Sequence, residues 1–205
     1  MDRARLVLIN GKPVNGRIIL AHGAGAGMNS EFMQTIAEKL ARQDFEVIRF
    51  EFPYMQLISE TGKRRPPDRM PKLLAAFDEV IAQFDDGVPL YLAGKSMGGR
   101  VASMLFERSP AIGCFVFGYP FHPAAKPDRL RIEHLLEIEK PMHIFQGTRD
   151  RMGSLSDVTQ YNLPQSVSLH WLNDGDHDLK PRKVSGFSRE DHLNHIVSFI
   201  KDWVR

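Results

Sequence analysis

Short apolar runs alternate along this chain with segments in which apolar residues recur every three or four positions. Consecutive apolar residues are typical of a strand covered on both faces, and helical spacing between such runs is typical of helices packed on those faces. The order therefore predicts the α/β class, a mostly parallel sheet with helices on both faces. Seven strands are expected, at residues 5–10, 17–22, 45–50, 89–94, 113–118, 142–147 and 166–172.

Helical spacing of apolar residues predicts the segments that cover this sheet. Pro71 suits the first turn of one of these helices, and the chain closes on an amphipathic one. Residues 52–70 show no clear period and contain Gly62, Pro66 and Pro67, so we expect a long surface connection there. The apolar positions of the expected helices lie within residues 33–41, 73–84, 101–106 and 193–204.

Composition limits the classes of protein that this chain can represent. With 205 residues and 42% hydrophobic content, we expect a single domain over residues 1–205. The net charge is +2 and there is no long basic run, so nucleic acid is not an expected partner. Charged and polar residues interrupt the apolar stretches of residues 1–23, which predicts no signal peptide or membrane span and a cytoplasmic location. Cys114, the single cysteine, is expected as a buried strand thiol; the oligomeric state stays open.

The stretch PLYLAGKSMGGR, residues 89–100, contains two overlapping signatures. Gly94, Lys95 and Ser96 match the end of a phosphate-binding loop, G-x-x-x-x-G-K-[ST], whose glycines let backbone N–H groups surround phosphate. That pattern needs glycine at position 89, where this chain has Pro89, and the four residues between are apolar. These residues favour a strand, and the phosphate-loop interpretation is rejected.

The second signature is G-x-S-x-G, formed by Gly94, Ser96 and Gly98. A strand before this motif and a helix after it are typical of the sharp turn that presents a nucleophilic serine. A side chain at position 94 or 98 would collide with the adjacent strand or helix, which explains the glycines. Ser96 is therefore the expected nucleophile, and Lys95 is interpreted as an incidental residue of the turn.

A serine hydroxyl is a weak nucleophile at neutral pH and needs a histidine base oriented by a carboxylate. Asp150 follows the strand at 142–147, and His177 follows the next strand, so both belong to the strand ends where open α/β sheets form their sites. His170 lies inside a strand and His192 begins the last helix. Asp150 and His177 are the favoured partners of Ser96, and the competing acids are Asp157, Asp174, Asp176 and Asp178.

Acyl transfer also requires N–H donors for the oxyanion of the tetrahedral intermediate. The backbone N–H of Met97, directly after the nucleophile, is one expected donor. The glycine-rich segment after the strand at 17–22 is expected to supply the other, from Ala24 or Gly25. The same segment imitates a dinucleotide fingerprint, but the third glycine of that motif is replaced by Met28.

The motifs AHGAGAG, AGKSMGG, GTRD and GDHDLKP together resemble the α/β-hydrolase superfamily. The chain looks most like its small dienelactone-hydrolase-like members, including the group related to a testis-expressed hydrolase-like protein and a scaffold subunit of the NSL acetyltransferase complex. The resemblance implies an α/β-hydrolase fold and a Ser96, Asp150 and His177 triad. The dienelactone hydrolases use cysteine where this chain has Ser96, so their substrate is not transferred. The short segment after the fifth strand implies a minimal or absent lid.

These features together predict a serine hydrolase that acts on esters or thioesters of small acyl groups through an acyl-enzyme. Neither a metal nor a cofactor is required by this chemistry. The alternative is a catalytically silent interaction module on the same fold, since the fold alone does not determine activity. A further hypothesis is that basic residues converge near the site and favour anionic substrates, against the alternative of a solvated face. These residues are Lys63, Arg64, Arg65, Arg69, Lys180, Arg182 and Lys183.

Overall fold

A computed structural model describes residues 7–205 of the chain, so the first two residues of the expected strand at 5–10 lie outside the described part. Seven strands form one sheet in the order β1-β3-β2-β4-β5-β6-β7. β1 pairs with β3 antiparallel, and all other neighbours are parallel. The strands are β1 (Val7–Asn10), β2 (Arg17–Ala21), β3 (Glu46–Phe50), β4 (Leu90–Lys95), β5 (Gly113–Phe117), β6 (Met142–Gly147) and β7 (Val167–Leu172).

Helices cover both faces of this sheet. α3 and α4 contribute apolar residues to the core on one face, while α1 and α6 contribute to the core on the other. The helices are α1 (Glu31–Ala41), α2 (Pro53–Thr61), α3 (Met70–Gln83), α4 (Met97–Phe106), α5 (Leu155–Val158) and α6 (Arg189–Val204). The expected α/β architecture is confirmed.

The strands are apolar on successive positions because each of their faces belongs to a core. In β2, Ile19 packs into the core beneath α3 and α4, whereas its neighbours Ile18 and Leu20 pack beneath α1 and α6. All three side chains are fully buried. Cys114 in β5 is also fully buried, as expected, and this burial raises the pKa of its thiol.

The expectation of a loop throughout residues 52–70 is wrong. Pro53 is the first residue of α2, where its missing N–H costs nothing, and the helix ends at Gly62, whose φ of 68° is left-handed. The side chains that α2 buries, Tyr54 and Met55, are adjacent in sequence and leave no helical period. Only residues 62–69 form the irregular connection to α3.

The connection from β5 to β6 was expected to be too short for a lid. Residues 118–141 contain one 3₁₀ helix, Glu133–Glu137, and no lid is evident in the described part of the chain. Because no lid formed by the described residues covers them, the carboxyl ends of the parallel strands are open, and the loops that follow these strands form the site described next.

Within residues 7–205, no helix has both the length and the apolar character needed to cross a bilayer.

Candidate active site

Ser96 lies at the apex of a strained turn between β4 and α4. Its φ of 51° and ψ of −115° are rare for a residue with a side chain, and its N–H donates to the Phe117 carbonyl. A Cβ on Gly94 would lie 2.3 Å from the carbonyl carbon of Gly98. A Cβ on Gly98 would lie 2.5 Å from the carbonyl oxygen of Ala21. The steric reason for both glycines is confirmed.

The structure brings Ser96, His177 and Asp150 into one hydrogen-bonded row. Ser96 Oγ lies 2.7 Å from His177 Nε2, and His177 Nδ1 lies 2.7 Å from Asp150 Oδ2. Because an ionised carboxylate only accepts, these partners assign the Nδ1–H tautomer and leave the Nε2 lone pair facing the serine hydroxyl. In this arrangement the imidazole can accept the serine proton.

The Asp150 carboxylate is completely buried and held from three directions. Oδ1 accepts from the Met152 N–H at 2.8 Å, while Oδ2 accepts from Gln146 Nε2 at 2.8 Å and from His177. Gln146 is itself fixed, because its Oε1 accepts from the Tyr119 N–H at 2.7 Å. Hydrogen bonds to both oxygens fix the carboxylate that orients the imidazole.

The competing acids have other partners. Asp157 closes the capping box of α5 with Ser154, and Asp174 pairs with Arg149 and Arg182. Asp176 accepts from two backbone N–H groups of its own loop, and Asp178 pairs with Lys95 at the end of β4. His170 and His192 are also engaged elsewhere, with His143 and with the Leu179 carbonyl, respectively.

The two expected oxyanion donors both line clefts that contain Ser96. Met97 is the first residue of α4, where a helix offers no acceptor for the backbone N–H. Ala24 lies in the loop after β2, and its N–H makes no intramolecular hydrogen bond to the described residues. Both residues line a cleft together with Ser96.

Sequence reasoning missed two side chains that hold this loop. His22 is fully buried; its Nε2 accepts from the Phe52 N–H at 3.0 Å, and its Nδ1 donates to the Gly23 carbonyl at 2.7 Å. Burial lowers the pKa of His22 to about 4, which keeps the ring neutral as these partners require. Tyr54 Oη donates to the carbonyls of Gly23 at 3.2 Å and Ala24 at 2.9 Å. These contacts left no signal in the sequence because the partners are backbone groups, which carry no side-chain identity, and most of them lie about 30 residues away.

Lys95 is not the incidental residue that the sequence suggested. It is 7% exposed, and its Nζ donates to the His177 carbonyl at 2.7 Å and pairs with Asp178 at 3.2 Å. Burial lowers the pKa of this ammonium group, which the Asp178 carboxylate opposes. Lys95 thus ties the turn that carries Ser96 directly to the loop that carries His177.

Two clefts meet at Ser96. The larger, about 620 Å³, lies against α1 and α6 and contains Phe32, Lys95, His177 and Arg189. The smaller, about 310 Å³, lies toward α3 and the β5–β6 connection. Ser96 lines both clefts, so a substrate can extend from the serine in two directions.

The seven basic residues of the anionic-substrate hypothesis do not line these clefts. All seven are exposed, which agrees with the solvated-face alternative. Arg182, for example, pairs with Asp174. The basic residues that line the clefts in the described chain are instead Lys95, Arg100, Arg131 and Arg189. Within residues 7–205, no group of three histidine, cysteine, aspartate or glutamate side chains is arranged to hold a metal ion.

This sheet order, with its strained serine turn after a parallel strand, defines the α/β-hydrolase class of folds. Residues 14–205 match the model of a family described as an alpha/beta hydrolase domain. The chain belongs to this family.

Solved structures share this fold. The chain is similar to a monoacylglycerol lipase from Paleococcus ferrophilus, with 13% identity, a TM-score of 0.71, and 98% of this chain and 99% of that chain covered. It is also similar to an α/β serine hydrolase without a lid from Xanthomonas campestris, with 18% identity, a TM-score of 0.71, and coverage of 96% and 88%. A third is a dienelactone hydrolase from Anabaena variabilis, with 16% identity, a TM-score of 0.70, and coverage of 96% and 89%. The resemblance to small, lidless members of the superfamily is confirmed.

Proposed function

We propose that this protein is a serine hydrolase that cleaves esters or thioesters of small acyl groups, with Ser96 as nucleophile, His177 as base and Asp150 as orienting acid. The observation that carries the proposal is the unbroken row from Ser96 Oγ through the imidazole to the buried carboxylate, with both distances at 2.7 Å. Family membership and the lipase and hydrolase names of the similar structures support the same chemistry.

In the first half-reaction, Ser96 Oγ bonds to the substrate carbonyl carbon while His177 Nε2 takes the hydroxyl proton. The carbonyl oxygen gains negative charge, which the N–H groups of Met97 and Ala24 stabilise. Collapse of the tetrahedral intermediate breaks the bond to the alcohol or thiol, and the protonated His177 supplies the proton to that leaving group. Neither a metal nor a cofactor is required for these steps.

In the second half-reaction, His177 takes a proton from water as the oxygen of that water attacks the acyl carbon. The second collapse returns the proton to Ser96 Oγ and releases the acid. The site is open at the strand ends, which favours small or protruding acyl groups. We therefore expect faster turnover of short-chain esters than of long-chain lipids, and a preference for long chains would contradict this part.

A fluorophosphonate probe tests the nucleophile directly, because its phosphorus bonds to an activated serine oxygen with loss of fluoride. Wild type should be labelled at Ser96, and Ser96→Ala should not. Ser103→Ala is a matched control, since Ser103 lies on α4, seven residues after Ser96, and hydrogen-bonds to His134. Absence of both Ser96-dependent labelling and ester turnover would favour the alternative of a catalytically silent interaction module.

A further inference from the structure

The smaller cleft at Ser96 carries two arginines without a carboxylate partner. Arg100 lies one helical turn after Ser96 on α4, and Arg131 lies on the β5–β6 connection. In the described residues, neither guanidinium has an acidic side chain within ion-pair distance. Moreover, Arg100 Nε is buried and has no hydrogen-bond partner there. Both arginines line the cleft beside Ser96, and two guanidinium groups without a carboxylate partner form a site suited to an anion.

The one acidic residue that lines the cleft is already engaged. Asp68 Oδ2 accepts from the Tyr54 N–H at 2.8 Å, and Oδ1 pairs with Lys72 at 2.9 Å. Its charge is therefore balanced on its own side of the cleft. The potential between Arg100 and Arg131 is left positive.

The two guanidinium groups are held close enough to influence each other. The pKa of Arg131 is lowered first by burial and then by the positive charge of Arg100. The Arg131 backbone is fixed, because its N–H donates to the Phe121 carbonyl at 2.8 Å and its carbonyl accepts from Tyr119 Oη at 2.7 Å. An anion bound between two positive charges reduces the repulsion between them, and this effect is larger in a partly buried cleft than in bulk water.

We propose that the smaller cleft is a carboxylate subsite, and that the preferred substrates are esters or thioesters that carry a free carboxylate a short distance from the scissile carbonyl. The planar guanidinium fork matches a carboxylate in bidentate geometry. One helical turn separates Arg100 from Ser96, so a chain of few carbons spans the gap. Met70, Leu73 and Met97 supply apolar wall for its methylene groups. This inference rests on the proposed function, whose site it extends.

The test compares esters that are matched in length but differ in charge. Phenyl monoesters of glutaric and adipic acid are assayed beside phenyl pentanoate and phenyl hexanoate, with the uncatalysed rate subtracted. Charge-assisted hydrogen bonds of this kind correspond to about tenfold or more in affinity, so wild type should show a kcat/KM ratio of about tenfold in favour of the anionic esters. Arg100→Gln and Arg131→Gln should each lower that ratio by about tenfold.

Lys126→Gln is the matched control, because Lys126 is exposed on the same connection and lies outside the cleft, and its substitution also removes one positive charge. It should leave the ratio unchanged. A second pair, phenyl pentanoate and 3-carboxyphenyl pentanoate, moves the carboxylate to the leaving group. If only this second pair shows an Arg100-dependent preference for the anionic ester, the cleft is still a carboxylate subsite. It then binds a carboxylate on the leaving group and not one on the acyl chain.

Binding separates this inference from the proposed function. Ser96→Ala should bind monoethyl glutarate in calorimetry, and adding Arg100→Gln or Arg131→Gln should weaken that binding by about tenfold, even for a protein that turns over no ester. Conversely, turnover of neutral and anionic esters at equal kcat/KM, unaffected by either arginine substitution, would overturn the subsite and leave the serine hydrolase intact. Circular dichroism shows whether each variant is folded, so a change in the kcat/KM ratio that results from misfolding can be recognised.

Discussion

Lys95 Nζ donates a hydrogen bond of 2.7 Å to the carbonyl oxygen of His177. The lysine directly precedes the nucleophile, and the histidine is the proposed base, so one side chain links the two halves of the site across 82 residues. Asp178, the next residue of the histidine loop, pairs with the same ammonium group. Lys95 therefore fixes the turn that carries Ser96 to the loop that carries His177.

Lys95→Met keeps the apolar stem and removes both contacts. We expect kcat to fall by on the order of tenfold with a smaller change in KM, because a loop displaced by a fraction of an ångström misplaces His177. Steady-state kinetics with a neutral short-chain ester separates the two parameters. Lys95→Arg, which retains the charge and donors, should recover part of the loss. A rise in KM alone would show that Lys95 acts on binding and not on the position of the base.

Gly98→Ala tests the close approach of α4 to the end of β2. The added Cβ would lie 2.5 Å from the carbonyl oxygens of Ala21 and His22, and backbone cannot move aside as a flexible side chain would. We expect the free energy of unfolding to fall by about 1–3 kcal/mol. Urea denaturation measures this change.

Gly25→Ala is the control for that substitution. A Cβ at Gly25 has no neighbour within 4 Å, and the backbone there is not in the left-handed region. Its unfolding midpoint should equal that of wild type. Equal stability of Gly98→Ala and wild type would contradict the packing described here.

Much of the fold follows from the sequence because each strand is covered on both faces. Runs such as the one in β2 leave a continuous apolar signal, and the loops at the strand ends then bring Ser96, Asp150 and His177 together. α2 left no such signal, since it is anchored by two adjacent side chains, Tyr54 and Met55. Helix periodicity needs several buried positions on one face.

The supporting contacts of the site could not be predicted for a different physical reason. His22, Tyr54 and Lys95 each bond to a backbone carbonyl or N–H of another segment. A backbone partner carries no side-chain identity, so the sequence contains no pair of residue types to recognise. The proximity of Arg100 and Arg131 could not be predicted either, because it depends on how the β5–β6 connection folds over α4.

His22 makes stability depend on pH. Its folded pKa of about 4 lies below the unfolded value of 6.5, so the unfolded chain takes up the proton first. The stability that the neutral ring contributes is complete above about pH 6.5 and is lost as pH falls toward about pH 4. We expect the free energy of unfolding in wild type to fall by about 1.5–2 kcal/mol more between pH 7 and pH 5 than in His22→Gln. Urea denaturation at both pH values measures the difference, and identical slopes would show that His22 does not titrate as described.

Tyr54→Phe removes only the hydroxyl that donates to the carbonyls of Gly23 and Ala24. Burial is the main cause that raises the pKa of Tyr54, so the hydroxyl stays protonated and remains a donor over the whole working range. Without it the Gly23–Ala24 peptides can rotate, and the Ala24 N–H, the proposed oxyanion donor, is no longer held in one direction. We expect kcat to fall by about tenfold, less than for complete loss of an oxyanion donor. Tyr161→Phe, at a half-buried tyrosine outside this loop, is the control and should retain wild-type kcat. Unchanged kcat in Tyr54→Phe would remove the tyrosine from the support of the oxyanion loop.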